Sequence, residues 1–179
     1  MMSTHLQSTV ETWLGWTWRD TGGNAVVVDS NRLVYRQDLR DGQEPGEADV
    51  VWHDEGRLLA EGEALLLQLD ALEQPLFGDT IEIAMERVKA ILVVNRNLSG
   101  TAWLSVGGAP ADEWCEPFGM FGDTVKAMPG SPLLLANVLD GWPVGTPGGT
   151  LRIAAVGGEV TFDIAILGTR AEEPASSGT

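Results

Sequence analysis

Cysteine and histidine are scarce in this chain. Cys115 is the only cysteine among 179 residues, so an intrachain disulfide is excluded, and the sequence is compatible with a reducing compartment. Of the two histidines, His5 lies near the N-terminus, which leaves His53 as the one candidate general base. The neighbouring Asp54 would point to the opposite face of a strand and would not orient the imidazole. A catalytic triad is therefore not expected.

Motifs that hold cofactors or metals are also missing. The sequence contains neither the G-x-G-x-x-G nor the G-x-x-x-x-G-K-[ST] pattern, and its Gly-Gly pairs have no lysine or helix beside them to bind phosphate. Zinc and EF-hand spacings are absent. A surface calcium site at Asp38, Asp41 and Glu44 stays open, as does a pair of carboxylates that meets only in space. We predict no cofactor, no metal and no enzymatic activity.

Basic residues are few. The chain has 11 lysines and arginines and 26 aspartates and glutamates, which gives a formal net charge of −15. So acidic a surface repels nucleic acid and anionic membranes, because both are bound through Lys and Arg. No apolar run approaches the roughly 20 residues of a membrane helix, and the N-terminus does not read as a signal peptide. We expect a soluble, unexported protein without nucleic-acid or membrane partners.

Much of the chain alternates between apolar and polar residues, with glycines at the turns between these runs. In residues 150–169, two alternating runs flank Gly157 and Gly158, which predicts a hairpin with a two-residue turn. Residues 57–70 predict two strands around a turn at 60–63, and residues 80–95 favour strand over helix. The predicted fold is an all-β antiparallel sandwich or jelly roll of about ten short strands.

Composition divides the chain into three parts. Residues 1–40 are predicted to form a Trp-rich N-terminal arm with strands of its own, which anchors the protein or contacts another subunit. An acidic loop with Gly and Pro at 38–49 separates this arm from a β-sandwich domain at 49–170. Residues 171–179 are small and polar and are predicted to be a disordered tail.

Aromatic residues cluster in the arm and in a predicted loop at 109–122. A tryptophan can bury about 150–250 Å², so three of them within residues 13–18 are expected to pack on the core or on another subunit. Aromatic residues of the loop are likewise expected against a core or a subunit interface. The candidate interface residues are Trp13, Trp16, Trp18, Trp114, Phe118 and Phe121.

From Asp49 onward the chain resembles a family of small structural proteins encoded by tailed phages and prophages. The resemblance lies in the stretches ADVVWHDEGRLLAEGEALLLQLDAL, LFGDTIEIAMERVKAILVVNRN, LSVGGAP, VKAMPGSPLLLANVLDGWPV and LRIAAVGGEVTFDIAILGTRA. The WLGWTW segment lies outside it. The resemblance implies a non-enzymatic virion protein with a β-sandwich fold, namely a decoration or cement protein on the outer surface of the head.

The resemblance also implies partners. Such a protein is made in the host cytoplasm, binds the major capsid protein on the capsid surface and associates with itself as a homotrimer. An acidic body with a Trp-rich arm permits this role, because the arm can anchor while the sandwich stands outward. Two alternatives stay open. One is a tail, neck or fibre component, and the other is a carbohydrate-binding module that uses Trp114, Trp142 or the N-terminal tryptophans.

Overall fold

The computed structural model describes residues 5–20, 26–76, 78–145 and 148–171. These residues form thirteen strands, and every pair of neighbouring strands runs antiparallel. No helix among them is long and apolar enough to cross a membrane. In chain order the strands are β1 (Ser8–Asp20), β2 (Val27–Leu39), β3 (Val50–Leu59), β4 (Ala64–Gln68), β5 (Leu72–Leu76), β6 (Asp79–Ile83), β7 (Met85–Asn95), β8 (Trp103–Gly107), β9 (Thr124–Ala127), β10 (Pro132–Ala136), β11 (Trp142–Pro143), β12 (Thr150–Val156) and β13 (Val160–Arg170).

Nine of these strands make a two-layer sandwich. The first sheet has the order β10-β7-β13-β3, with β11 also paired to β7, and the second has the order β4-β12-β8-β9. The chain crosses repeatedly between the sheets, and this strand order is that of an eight-stranded jelly roll. Outside it, β1 pairs with β2, and β5 pairs with β6. The predicted all-β antiparallel sandwich is confirmed, with more strands than the ten expected.

The core lies between the two sheets, and alternation along β12 and β13 fills it. Phe162, Ile164 and Ile166 of β13 are almost completely buried, as are Leu151 and Ile153 of β12. Each such side chain contributes about 1.5–3 kcal/mol through removal of its apolar surface from water. The alternating pattern read from the sequence therefore corresponds to the inner faces of the sandwich.

The predicted C-terminal hairpin is wrong. Strand β12 pairs with β4 and β8 in one sheet, and β13 pairs with β7 and β3 in the other. Gly157 and Gly158, with φ of 75° and 143°, carry the chain from one sheet to the other. Two strongly apolar strand faces bury more surface when they meet across a core than when they lie side by side. An alternating pattern with a Gly-Gly turn is compatible with both arrangements.

Two other ambiguous segments fold as predicted. Strands β3 and β4 flank the turn at 60–63, where the Glu63 amide donates to the Ala60 carbonyl at 3.0 Å and Gly62 has a φ of 82°. Residues 85–95 form the central strand β7 and not a helix. The predicted loop at 109–122 contains none of the strands. The predicted disordered tail lies outside the described residues, except for Ala171.

Gly168 allows β13 to pass close to β7. The register between these strands shifts between Leu167 and Gly168, and a Cβ at Gly168 would overlap the carbonyl oxygen of Arg87. We expect Gly168→Ala to destabilise the fold by about 1–3 kcal/mol, because the backbone of a central strand must move to admit the methyl group. Chemical denaturation measures this change in the free energy of unfolding.

Gly149→Ala is the matched control. The nearest atoms to a Cβ at Gly149 would be 3.5 Å away, which is an ordinary van der Waals distance. This variant should unfold within about 0.5 kcal/mol of the wild type. Equal destabilisation by the two substitutions would contradict the close approach at Gly168.

Candidate functional site

The most exposed element of the protein is a long β-hairpin, here called the ribbon (residues 8–20 and 27–39). Its strands β1 and β2 pair without interruption from Ser8–Leu39 to Asp20–Val27 and form a sheet of their own. Thirteen residues at about 3.4 Å each give the ribbon a length near 40 Å. Residues 11–20 and 28–36 are all exposed. The ribbon therefore projects from the sandwich.

The base of the ribbon is fixed to the outer face of the first sheet. Val10 and Leu39 are only 6% and 3% exposed and pack in a cluster with Ala90 and Leu167. Just before β1, the Leu6 amide donates to Asp41 at 3.0 Å, and this hydrogen bond lowers the pKa of the Asp41 carboxyl. The ribbon is thus anchored at one end and exposed along the rest of its length.

One face of the ribbon is apolar. The pairing register places Leu14 opposite Leu33 and sets both on the same side as Trp16, Trp18 and Tyr35. We call these five residues the apolar face; their exposed fractions are 67% for Leu14, 41% for Trp16, 75% for Trp18, 70% for Leu33 and 46% for Tyr35. Solvent-exposed side chains of this size on adjacent positions are typical of a surface that contacts a partner.

The opposite side of the ribbon, here called the mixed face, combines aromatic and charged residues. Trp13 is 63% exposed and lies opposite Val34, which is 45% exposed. Next to this pair, the guanidinium of Arg36 forms salt bridges with Glu11 at 3.4 Å and Asp38 at 3.0 Å. Hydrogen bonds from the Thr9 hydroxyl and from Arg36 lower the pKa of Asp38. The charges of Glu11, Arg36 and Asp38 are therefore paired within the chain.

Net charge is distributed unevenly between the ribbon and the rest of the chain. The ribbon contains three arginines and four carboxylates, a net charge of −1. The remainder has eight basic and 22 acidic residues, a net charge of −14. An acidic sandwich therefore carries a projecting element that is nearly neutral and rich in apolar side chains.

The predicted interface residues separate into two groups. Trp13, Trp16 and Trp18 lie on the ribbon, and Phe121 is 78% exposed near the C-terminal end of the 109–122 loop. Trp114 is only 1% exposed, so its indole offers no surface to a partner or a sugar. The sequence identifies these tryptophans, but only the pairing register of β1 and β2 places Leu33 and Tyr35 on the same side as Trp16 and Trp18.

Trp114 belongs to the core for a specific reason. Its indole Nε1 donates to the Pro143 carbonyl at 2.7 Å, so the one polar atom of the ring is satisfied inside the protein. The rings of Phe118 and Trp142 approach it edge to face, each with a centroid distance of 6.4 Å. Trp114 and Phe118 therefore hold the loop onto the sandwich, which corrects their assignment as interface residues.

His53 lies in a shallow groove of about 240 Å³ on the outer face of the first sheet. Its Nδ1 is 3.8 Å from Glu55, which is too long for a hydrogen bond, and both side chains are well exposed. Asp54 points elsewhere and pairs with Arg57 at 3.0 Å. Within the described ranges no group of three or more His, Cys, Asp or Glu is placed to hold a metal ion.

Asp163, in the same groove, makes a tighter set of contacts. It accepts a hydrogen bond from the Gly56 amide at 2.8 Å and one from Arg96 Nε at 2.6 Å. The Arg96 guanidinium, followed by the Gly56 amide, lowers the pKa of the Asp163 carboxyl. Asp163 therefore links β13 to Gly56 of β3 on one side and to Arg96, directly after β7, on the other. These contacts stabilise the sheet.

Comparisons with known proteins add no family to this picture. A comparison with models of protein families finds no matching family, and comparisons with curated proteins and with solved structures find no significant match. Any functional proposal therefore depends on the ribbon, the sandwich and the resemblance noted in the sequence.

We expect Asp163→Asn to destabilise the protein by about 1 kcal/mol near pH 7, because the amide loses the charge that Arg96 and Gly56 bind. The folded-state pKa of Asp163 is below its ordinary value of 3.8, so its contribution is present above that value and is lost as the pH falls through the folded-state pKa. The difference from wild type, measured by urea denaturation, should therefore shrink as the pH falls below 3.8. Glu159→Gln, at an exposed position, is the control, and a pH-independent difference for Asp163→Asn would contradict the assignment.

Glu113 offers a second test, within the 109–122 loop. Its buried carboxylate accepts hydrogen bonds from the Gly108 amide at 3.0 Å and the Gly122 amide at 2.9 Å, so it closes the loop that carries Phe121. Glu113→Ala should cost about 1–3 kcal/mol and accelerate amide hydrogen exchange in this loop. Glu116→Ala, at an exposed position of the same loop, should change neither measurement.

Proposed function

We propose that this protein is a non-enzymatic structural protein of a tailed-phage virion. In this role it is a decoration protein on the outer surface of the head, bound to the major capsid protein and associated with itself as a homotrimer. The observation that carries the proposal is the ribbon, which presents large apolar side chains away from the sandwich. The resemblance of residues 49 onward to phage structural proteins supplies the class of particle.

A ribbon of this kind needs a partner. An isolated two-stranded hairpin is at best marginally stable in water, because it cannot cover its own apolar side chains. Here both faces carry exposed apolar residues, with Leu14 and Leu33 on one and Trp13 and Val34 on the other. A protein built to remain free in solution would be expected to bury or replace them. Their exposure supports attachment to a larger assembly.

The distribution of charge supports an outward orientation of the sandwich. The chain outside the ribbon has a net charge of −14, so it is well solvated and resists aggregation with other acidic surfaces. The nearly neutral ribbon can approach a shell at little electrostatic cost. Attachment through the ribbon therefore leaves the acidic jelly roll facing solvent, as a head decoration requires.

Stabilisation of the head follows from simple linkage. If the ribbon binds a site that exists only on the mature shell, each bound copy lowers the free energy of that shell relative to immature or disrupted states. Chemistry by the decoration protein is not needed for this effect. A compact jelly roll attached by one apolar element is sufficient for it.

Counting copies in purified particles of the encoding phage tests the proposal. We expect quantitative mass spectrometry to find hundreds of copies per particle, in a fixed ratio to the major shell protein. Cryo-electron microscopy should place them in ordered symmetric positions on the head. Tens of copies at the tail, neck or fibres would favour the alternative virion role, and absence from the particle would overturn the proposal.

A further inference from the structure

We infer that the apolar face of the ribbon (Leu14, Trp16, Trp18, Leu33 and Tyr35) is a self-association surface, buried against the same face of other copies of this chain. The inference rests on the proposed function only in treating the ribbon as a contact surface, and it names the partner of that surface. It also separates the two faces: the apolar face joins copies, and the mixed face remains available to the shell.

The size of the apolar face fits an interface between copies. A large aromatic side chain presents about 150–250 Å², so the five residues at their observed exposures leave on the order of 500–700 Å² open. A standard protein interface takes about 800 Å² from each partner. The polar neighbours Thr12 and Asn31 on the same side extend the contact area toward that value. One face of the ribbon is therefore nearly sufficient for a specific contact.

The central part of this face is uncharged. From the pair Val10–Gln37 to the pair Trp16–Asn31, this side of the ribbon carries no charged residue, and its carboxylates Asp29 and Asp20 lie at the outer end. The parts of two copies outside the ribbon repel each other, since each of these parts carries a net charge of −14. Contact centred on the pair Leu14–Leu33 therefore joins two copies where neither carries charge.

Burial of the apolar face leaves the indole donor of Trp16 satisfied. Its Nε1 already donates to Asp29 of the opposite strand at 2.9 Å, so the indole enters an interface with its hydrogen bond made. Two such ribbons can stack about 10 Å apart, as the sheets of a sandwich do. Two identical faces stacked in this way are related by a two-fold axis, whereas in a homotrimer three such faces meet about a threefold axis; both arrangements are closed.

Paired substitutions on the two faces test the inference. Leu14→Ser/Leu33→Ser alters one cross-strand pair of the apolar face, and Trp13→Ser/Val34→Ser alters the adjacent pair of the mixed face. The second variant removes the larger side chain and is therefore a stringent control. Circular dichroism of each variant checks that the sandwich is folded.

Sedimentation velocity of the purified full chain alone, from about 1 to 100 µM, gives the readout. We expect the wild type and Trp13→Ser/Val34→Ser to sediment as the same multiple of 19.2 kDa. Leu14→Ser/Leu33→Ser should weaken association by about 100-fold or more, because two buried leucines are lost at each interface. Added salt should leave the wild-type oligomer intact or strengthen it, since screening reduces repulsion between the bodies.

A wild-type chain that is monomeric throughout this range overturns the inference, and so does equal dissociation by the two paired variants. If that monomer is still present in hundreds of copies on the head, the decoration role stands, whereas self-association through the ribbon and the proposed homotrimer both fail. If the chain forms the oligomer but is absent from particles, the self-association stands and the proposed function fails. Binding of a monomeric wild type to neutral phosphatidylcholine vesicles, lost in Leu14→Ser/Leu33→Ser, would assign the face to a lipid surface.

Discussion

The packing of the two sheets against each other is the interaction on which the rest of the molecule depends. Phe162, Ile164 and Ile166 of β13 line one side of the core, and Leu151 and Ile153 of β12 line the other. Because β13 is the strand between β7 and β3, the same packing positions the outer face of the first sheet. That outer face holds the base of the ribbon. The ribbon is therefore positioned by a core to which most of its own residues do not contribute.

Much of the fold could be predicted from local patterns, because alternation with period two and turn glycines act within a few residues. Pairing could not be predicted in the same way. Gly157 and Gly158 join two sheets instead of a hairpin, since the choice depends on which faces meet across the core. Lys89 is a further case. It has no partner on β13 where the register shifts, its buried ammonium donates to the Leu139 carbonyl, and burial lowers its pKa.

The candidate site was predictable in its composition and not in its geometry. The three tryptophans of residues 13–18 indicate a contact surface from their apolar area alone. Trp114 has the same residue type and a similar aromatic neighbourhood, yet the Pro143 carbonyl and two edge-to-face rings place it in the core. The difference lies in partners distant in sequence. A hydrogen-bond acceptor for a buried indole is a property of the fold and not of the segment that contains the tryptophan.

Because the outer ribbon cannot bury its own apolar side chains, the proposed function couples its folding to assembly. Its base is held by Val10 and Leu39, whereas the residues beyond them gain little from the sandwich. Under the proposed function, the free energy that orders the outer ribbon comes largely from the partner surface that covers it. Substitutions in the sandwich should therefore act on stability, and substitutions on the ribbon faces should act on association. Such a separation is what the proposed role requires, because the sandwich has to stay folded before the ribbon contacts a partner surface.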